Sequence, residues 1–494
     1  EASLRRFAHY DYWDDAVRPS ILVESGADLL SFGMGEHSMV EIARRLAAGE
    51  DIRTLRDIRG TCYLAELSDP APPGAVSCAS FDKVRLDKMA YARASRTQLE
   101  QQDHIYGKAI LQKHGDKMLV QNPPPIPLTT QELDAVSALP YERYYHPSYK
   151  ELGGVKAIEE VEFSIIHNRG CYGACNFCSI AFHQGRYVTP RSHESVLEEA
   201  RRFVKNPRFK GYIHDVGGPT ANFRGPACQK QEKSGVCMGK KCLYPSPCPA
   251  IQADHSDYIQ LLRKLRAIPG VKKVFVRSGL RYDYIMADKS TTFLDELVRH
   301  HVSGQLKVAP EHISPPVLAR MGKPSRQTYD RFCKAFYEAT RRAGKEQYLV
   351  PYLISSHPGS TMRDAVALAL YLKENHIRPE QVQDFYPTPG TASTTMFYTG
   401  IDPWTMEKVF VPTDPTEKKL QRALLQYYKP ENRRLCIEAL IRAGREELIG
   451  SGPGKLVQAD QAYLRRLGDK RKAQVLTAKK RPGGKKACKK AKPS

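Results

Sequence analysis

Three cysteines lie close together at Cys171, Cys175 and Cys178, in the segment NRGCYGACNFC. Their C-x3-C-x2-C spacing suits three corners of a cubic iron–sulfur cluster, and Gly170 and Gly173 let the backbone approach the sulfides. Three protein ligands leave one iron open to a substrate or cofactor. A zinc site would need a fourth ligand, and no second C-x2-C follows at zinc-ribbon distance. The spacing therefore predicts a 4Fe-4S cluster with an open iron.

A second group of four cysteines lies further along the chain, at Cys228, Cys237, Cys242 and Cys248. The segment around them is rich in Lys, Gly and Pro and has no helix or strand pattern, so something must order it. Four thiolates can hold a structural zinc or an auxiliary iron–sulfur cluster. Some of them can equally be small buried residues. These interpretations stay open at this point.

The remaining five cysteines suggest no site. Cys333 and Cys436 fall on the apolar faces of helical patterns, whereas Cys62, Cys78 and Cys488 stand alone. Twelve cysteines in 494 residues are too sparse for a disulfide scaffold. Clustered thiols point to a reducing compartment and to metal binding.

The composition is that of a soluble globular protein, with 41% hydrophobic and 26% charged residues. The longest apolar run, residues 365–372, is far shorter than a membrane-spanning helix requires. The opening segment has no apolar core of a signal peptide. We therefore expect a cytoplasmic protein that does not contact a membrane.

The formal net charge of +22 is concentrated at one end of the chain. Residues 461–494 contain 13 Lys or Arg and one acid, Asp469. Such a segment is expected to be a disordered basic tail. It would hold RNA or another polyanion weakly, or it would only keep the protein soluble.

Strand-like segments and helical patterns alternate from about residue 160. Six such strands occupy residues 161–168, 211–216, 272–278, 305–310, 347–355 and 381–387. This alternation predicts an α/β fold with a parallel sheet, here a partial (βα)6 TIM-like barrel. In such barrels the chemistry lies in the loops after the strands, and the cysteine triplet follows the first strand.

The rest of the chain is arranged around this barrel. A strand-turn-helix pattern near the start predicts a partial Rossmann-like α/β domain, and helical patterns follow the barrel. The expected parts are an N-terminal domain (1–100), a connector (101–155), the barrel (156–389) with a Cys-rich insertion (224–250), a partly helical C-terminal region (390–460) and the tail (461–494).

The triplet with its aromatic Phe177, placed after the first of six βα units, resembles the radical S-adenosylmethionine (radical SAM) superfamily. Longer stretches, among them SILVESGADLLSFGMGEHSMVEIARRLAAG, DVGGPTANF and QDFYPTPGTASTTMFYTG, resemble the YgiQ family within it. The resemblance implies that the open iron binds S-adenosylmethionine. One electron then breaks its sulfonium bond to give methionine and a 5′-deoxyadenosyl radical, which abstracts hydrogen from a substrate.

The resemblance also assigns residues that would bind S-adenosylmethionine. Phe177 would lie beside the adenine. Gly217, Gly218 and Pro219 end the second strand where a Gly-Gly-acid motif meets the methionine amino group, although proline here replaces the acid. Ser278, Arg281 and Glu311 follow the third and fourth strands and would touch the ribose or the methionine carboxylate. His357, after the fifth strand, is expected to be a hydrogen-bonded loop histidine.

The resemblance further implies a cobalamin-binding-like fold for the N-terminal domain. No D-x-H-x-x-G cobalamin-ligating motif is present in these 494 residues, so cobalamin is not expected. Because the chain starts at Glu1 rather than at a methionine, we expect a trimmed product of unknown original length.

Two hypotheses on function follow. The first is a radical SAM enzyme that takes electrons from a flavodoxin- or ferredoxin-type donor and acts on an unidentified substrate, with RNA as one candidate. Four arginines near the barrel loops, Arg169, Arg186, Arg191 and Arg224, would face that polyanion or form a solvated rim. The alternative is a non-catalytic nucleic-acid-binding protein stabilised by its metal sites.

Overall fold

A computed structural model describes residues 2–467. The N-terminal part contains a hairpin of two short strands, a five-stranded sheet and six helices. Its strands and helices are β1 (His9–Asp11), β2 (Ala16–Arg18), α1 (Ile21–Ser25), β3 (Leu29–Ser31), α2 (Glu36–Ala47), β4 (Thr61–Glu66), β5 (Val76–Ser77), α3 (Phe81–Leu86), α4 (Lys88–Glu100), β6 (Ile110–His114), β7 (Lys117–Gln121), α5 (Thr130–Ala138) and α6 (Ile158–Val161).

The N-terminal sheet has the strand order β3-β4-β7-β6-β5. Only β5 and β6 pair in parallel, whereas the other three pairs are antiparallel. The predicted Rossmann-like arrangement is therefore corrected, because a doubly wound sheet is parallel. A tight turn at Gly115, whose φ is +58°, reverses the chain between β6 and β7.

The central part contains the predicted alternation of strands and helices. Its elements are β8 (Ser164–Ile166), β9 (Asn168–Arg169), α7 (Ile180–Gln184), β10 (Thr189–Pro190), α8 (His193–Lys205), β11 (Tyr212–Ile213), β12 (Asp215–Gly217), α9 (Gln229–Ser234), α10 (Ser256–Arg266), β13 (Lys273–Val274), α11 (Tyr282–Ala287), α12 (Thr292–Glu296), a π-helical turn (Leu297–His301), β14 (Gln305–Glu311), α13 (Pro315–Met321), α14 (Arg326–Arg342), β15 (Tyr348–Ser355), α15 (Met362–Glu374) and β16 (Gln383–Asp384).

The barrel strands pair in parallel and in chain order. β8 pairs with β12, β11 with β13, and β14 with β15, which in turn pairs with β16. A single bridge from Leu280 to Val308 joins the third strand segment to the fourth. Within residues 2–467 no pairing joins β16 to β8, so the barrel is open, as a partial (βα)6 barrel requires.

Helix faces pack against these strands because their apolar residues recur at helical spacing. On α8, Val196, Ala200 and Phe203 are buried in the main core. On α15, Thr361 forms a capping box with Asp364, which fixes where this helix begins. The helices thus anchor the strands and leave the loops at their carboxyl ends to form the site.

The C-terminal part is helical, as predicted. Its helices are α16 (Ala392–Thr399), α17 (Pro415–Leu425) and α18 (Arg433–Arg442). Cys436 of α18 is fully buried and contacts the Ala423 carbonyl of α17, which confirms its place in a core. Among the described residues no helix is long and apolar enough to cross a membrane.

The boundary of the predicted tail is corrected. Residues 461–467 are helical, and Tyr463 is buried in the C-terminal core. The aromatic ring and Leu467 supply the apolar contacts that a solvated tail lacks. The remainder of the predicted tail, 468–494, lies outside the described residues.

Candidate active site

The cysteine triplet lies on the loop between β9 and α7, directly after the first barrel strand. Gly170 begins this loop with a φ of +84°, and a Cβ there would collide with the Tyr187 carbonyl. The backbone N–H of Cys171 donates to the Gly185 carbonyl at 3.1 Å, and that of Cys178 donates to the Cys175 carbonyl at 3.1 Å. All three thiols are free and partly buried. The loop therefore brings them together at the carboxyl end of the barrel.

Each sulfur has different surroundings. The Cys171 Sγ lies 3.3 Å from the Thr220 hydroxyl, and the Cys175 Sγ accepts a hydrogen bond from the Arg281 Nη1 at 3.3 Å. Burial, followed by the neighbouring Cys175 charge, raises the pKa of the Cys178 thiol to about 12. A cation at Cys175 partly offsets the negative charge that three thiolates would bring together.

The residues present fit an iron–sulfur cluster. Among residues 2–467 no three His, Cys, Asp or Glu side chains converge closely enough to hold a single metal ion. In a cubic cluster each thiolate binds a different iron, so its ligands need not share one centre. A Cβ at Gly173 would lie 2.6 Å from the Arg281 Nη1 and 3.3 Å from the Cys171 Sγ. A residue with a side chain therefore does not fit at this position of the loop.

Arg281 is a buried residue beside the cysteine triplet. Its guanidinium is held by Asp283 through hydrogen bonds of 2.8 and 2.6 Å, and its remaining edge faces Cys175. Its predicted contact with a ribose or a carboxylate stays a prediction, whereas its ion pair with Asp283 is observed. The physical reason is burial, because Asp283 is fully buried and needs a cation beside it.

The Gly217-Gly218-Pro219 segment ends β12 and packs tightly. A Cβ at Gly217 would collide with Ser278 and the Asp215 carboxylate, and one at Gly218 would collide with the Asn168 amide. The hydroxyl of Ser278 donates to Asp215. Close packing alone thus accounts for both glycines. Sequence reasoning did not single out Asp215. An acid within the otherwise largely apolar strand segment GYIHDV is the signal that could have indicated it.

Phe177 and Glu311 line one cavity of about 340 Å³ between the fourth, fifth and sixth strands. Glu311 is buried and has a φ of +65°, a strained conformation for a residue with a side chain. Burial raises the pKa of Glu311, and the Lys323 ammonium at 3.8 Å opposes this shift. A strained, buried acid at a strand end is typical of a functional site.

His357 is the hydrogen-bonded loop histidine that the sequence predicts. Its Nε2 pairs with the Ser393 hydroxyl at 2.7 Å, and its Nδ1 with the Pro358 carbonyl at 2.8 Å. Burial lowers its pKa to about 3, so the ring is neutral near pH 7.

A larger cavity of about 610 Å³ opens beside Cys175 and Cys178. Its walls come from all parts of the chain: Leu99 of α4, Arg320 of α13 and Trp404 after α16 line it together with the insertion. Cys248 of the second cysteine group lies on the same wall. The volume is in the range of small-molecule binding sites.

The four cysteines of the insertion are free and partly buried. The Cys248 N–H donates to the Cys242 carbonyl at 2.8 Å, and the Gln231 amide approaches the Cys242 Sγ at 3.5 Å. Burial raises the pKa of Cys242. The short helix α9 is the one regular element of this insertion, where none was predicted. These four thiols do not converge on one point as a single zinc ion would require. Zinc, an auxiliary cluster and small buried residues stay hypotheses for this group.

Lys241 ties the insertion to the cysteine loop, a role that no sequence pattern indicated. Its Nζ donates to the Ala174 carbonyl and to the Asn176 Oδ1, each at 2.6 Å. Burial lowers its pKa to about 7. The Asn176 amide also donates to the Arg320 carbonyl at 2.8 Å. The cysteine loop is therefore braced on two sides.

The four arginines proposed to face a polyanion are engaged inside the protein. Arg191 and Arg224 are buried and pair with Glu199 and Asp257. Arg169 pairs with Glu36, and Arg186 donates to the Cys237 and Lys240 carbonyls. They hold loops together and form neither an open basic face nor a solvated rim.

Comparison with known proteins decides the family. Three family profiles match: "Radical SAM N-terminal" over residues 1–164, "Radical SAM superfamily" over 165–372 and a domain of unknown function, DUF3362, over 380–494. A UPF0313 protein of Clostridium perfringens is 56% identical over 463 residues, which cover 94% of this chain and 70% of the relative. The chain belongs to the UPF0313 (YgiQ) family of radical SAM proteins.

A second curated relative agrees with this assignment, and two solved structures are similar to parts of this chain. A UPF0313 protein of Clostridium botulinum is 54% identical over 457 residues, 92% of this chain and 71% of the relative. The radical SAM methyltransferase TsrM from Kitasatospora setae is 15% identical with a TM-score of 0.39, over 78% of this chain and 55% of TsrM. The cobalamin-dependent enzyme OxsB is 11% identical with a TM-score of 0.44, over 94% of this chain and 67% of OxsB.

The family membership confirms the resemblance seen in the sequence and the expectation of an enzyme. A non-catalytic nucleic-acid-binding protein is not favoured. The ligands of the cluster, the residues that bind S-adenosylmethionine, the substrate and the electron donor stay predictions.

Proposed function

We propose that this UPF0313 protein binds a 4Fe-4S cluster through Cys171, Cys175 and Cys178 and uses S-adenosylmethionine to generate a 5′-deoxyadenosyl radical. The observation that carries the proposal is the placement of three free thiols on one loop at the carboxyl ends of parallel strands, with the Arg281 guanidinium against one sulfur. When bound, the cluster would supply the single electron that cleaves the sulfonium bond.

The residues of the chain would bind and orient the cofactor. Phe177 offers a ring face in the cavity that also contains Glu311. A carboxylate accepts hydrogen bonds from hydroxyl groups and repels another carboxylate, which favours a ribose over a methionine carboxylate as the partner of Glu311. The enclosing walls would keep water away from a reactive radical.

The substrate would enter the cavity of about 610 Å³ beside Cys175 and Cys178. RNA stays a candidate substrate because of the basic residues beyond position 467, although the four internal arginines do not support it. A flavodoxin- or ferredoxin-type protein would supply the electrons. Cobalamin has no ligating motif within this sequence.

The proposal is tested anaerobically on reconstituted protein with dithionite and S-adenosylmethionine. We expect 5′-deoxyadenosine, measured by chromatography, to form with wild-type protein and to vanish in Cys175→Ala. Cys333→Ala removes a partly buried thiol on α14 and should leave the yield unchanged. A loaded wild-type protein that releases no nucleoside, with or without candidate substrates, would contradict the proposal.

The same samples assign the second cysteine group by metal analysis. About four irons per chain would correspond to one cluster and about eight to two. Zinc at about one per chain, lost in a Cys242→Ala variant, would instead indicate a structural zinc. Neither result would alter the assignment of the triplet, because Cys175→Ala is scored separately.

A further inference from the structure

The Arg281 guanidinium has more hydrogen-bond donors than its carboxylate partner can use. Asp283 accepts from Nε at 2.8 Å and from Nη2 at 2.6 Å. Nη1 is directed instead at the Cys175 Sγ, 3.3 Å away. Arg281 is 7% exposed and Asp283 is fully buried, so water competes little for these donors. Nη1, the guanidinium nitrogen that Asp283 does not bind, is thus directed at a thiol.

The backbone of Arg281 is held independently of any ligand. Its N–H donates to the Asn222 Oδ1 at 2.9 Å, and the Asn222 Nδ2 donates back to the Arg281 carbonyl at 3.3 Å. The same amide nitrogen lies 3.1 Å from the His255 Nε2, whose ring pairs with Asp288 at 2.6 Å. A buried network with discrete partners therefore fixes where the guanidinium lies.

The cysteine loop is shaped to receive this guanidinium. Gly173 has no side chain at the point where a Cβ would lie 2.6 Å from the Arg281 Nη1. Thr220 approaches Cys171 with a neutral hydroxyl, and the structure places no cation within hydrogen-bonding distance of the Cys178 sulfur among the described residues. The three sulfurs are thus not equivalent: among the described residues, Cys175 is the one of the three that accepts a hydrogen bond from a cationic side chain.

We propose that Arg281 is a positioning residue that raises the reduction potential of the bound cluster through its hydrogen bond to Cys175. Reduction adds one electron, taken from an external low-potential one-electron donor, and no proton. The added negative charge is stabilised by a fixed donor to a ligand sulfur, since hydrogen bonds to the sulfurs help to set the potentials of such clusters. This inference rests on the proposed function of the triplet.

The test is a potentiometric titration followed by electron paramagnetic resonance, on the reconstituted 494-residue protein without S-adenosylmethionine. In Arg281→Gln the equilibrium constant for reduction should fall roughly tenfold, equivalent to a shift of about 59 mV to more negative potential for a one-electron couple. Asp283→Asn should shift the potential in the opposite direction, because it removes a negative charge and leaves Arg281 in place.

A merely structural role predicts something else. Loosening the fold would move both variants the same way, and Arg191→Gln would then behave likewise, because it breaks a buried Arg–Glu pair that contacts no cysteine. We expect this control to change the equilibrium constant by less than twofold. Unchanged potentials in both Arg281→Gln and Asp283→Asn, or shifts of the same sign, would overturn the inference.

Failure of the proposed function looks different from failure of this inference. If wild-type protein binds no iron and gives no signal, the cluster assignment itself is wrong. If wild-type protein titrates normally and the variants match it, only the role of Arg281 is wrong. Arg281→Gln protein that binds no cluster would leave two other variants for the test. Arg281→Lys keeps the positive charge but loses the planar, forked set of donors, and Asp283→Asn keeps Arg281 itself. These two variants still give the sign of the shift in potential.

Discussion

At the scale of single residues, the candidate site depends on the absence of a side chain at Gly173. The backbone there separates the Cys171 sulfur from the Arg281 guanidinium, and a methyl group would lie 3.3 and 2.6 Å from them. Extra atoms in a packed site force neighbouring groups to move, at a cost of about 1–3 kcal/mol. Because Arg281 is held by Asp283, the strain would fall on the cysteine loop.

We therefore expect Gly173→Ala to lower the iron content of reconstituted protein severalfold while the protein still folds. Gly225→Ala is the matched control, because a Cβ at Gly225 meets nothing within 4 Å. Iron per chain and far-ultraviolet circular dichroism are the measurements. Equal iron in the two variants would show that the loop adapts and that Gly173 is not needed.

The residue scale also shows what sequence can and cannot reveal. The triplet is visible because its three ligands lie within eight consecutive residues, so their spacing alone carries the chemistry. The contact between Arg281 and Cys175 joins positions 106 residues apart, and only the folded barrel, in which the second strand lies between the first and the third, brings them together. Arg281 was therefore found as a candidate, but its contact with Cys175 was not predicted.

At the scale of elements, the insertion after β12 acts as a brace for the cysteine loop. Two hydrogen bonds of 2.6 Å from Lys241 are the link, and each net contribution is about 0.5–1.5 kcal/mol. In Lys241→Met both are lost while most of the chain length is kept. We expect iron to be released to a ferrous chelator about tenfold faster than from wild-type protein.

Lys240→Met is the control for this experiment. The neighbouring Lys240 is exposed, and its carbonyl rather than its ammonium contacts Arg186. The loss of the Lys240 ammonium should leave the rate of iron release as in wild-type protein. Equal acceleration in both variants would mean that charge near the cavity, and not the brace, retains the iron.

Elements were predictable to different degrees for a physical reason. All six barrel strands were found because buried parallel strands read as short apolar runs between helical patterns. Only one strand of the N-terminal sheet, near the start of the chain, was predicted, and a single strand carries no information on the direction of its pairing. The turn at Gly115 that makes β6 and β7 antiparallel is a local signal that the strand pattern did not reveal.

At the scale of the whole molecule, the excess positive charge is the remaining link to RNA. Of the net +22, the residues beyond 467 contribute 11 Lys or Arg against one Asp. The arginines around the barrel loops are paired or bound to carbonyls, so they offer little to a polyanion. Any affinity for RNA that depends on residues 468–494 should therefore disappear when these residues are deleted.

The deletion begins after residue 467 because residues 461–467 form a helix that packs into the C-terminal core. We expect the 494-residue protein to bind single-stranded RNA with an affinity that falls steeply with salt. For single strands, the logarithm of the binding constant falls by about 0.7 per neutralised phosphate for each tenfold rise in salt concentration. The truncated protein should bind at least about tenfold more weakly at low salt, with a shallower slope. Fluorescence anisotropy over a salt series measures both. Unchanged affinity and slope would remove the main support for RNA as substrate, whereas equal 5′-deoxyadenosine yields from the two proteins would show that the radical site works without the tail.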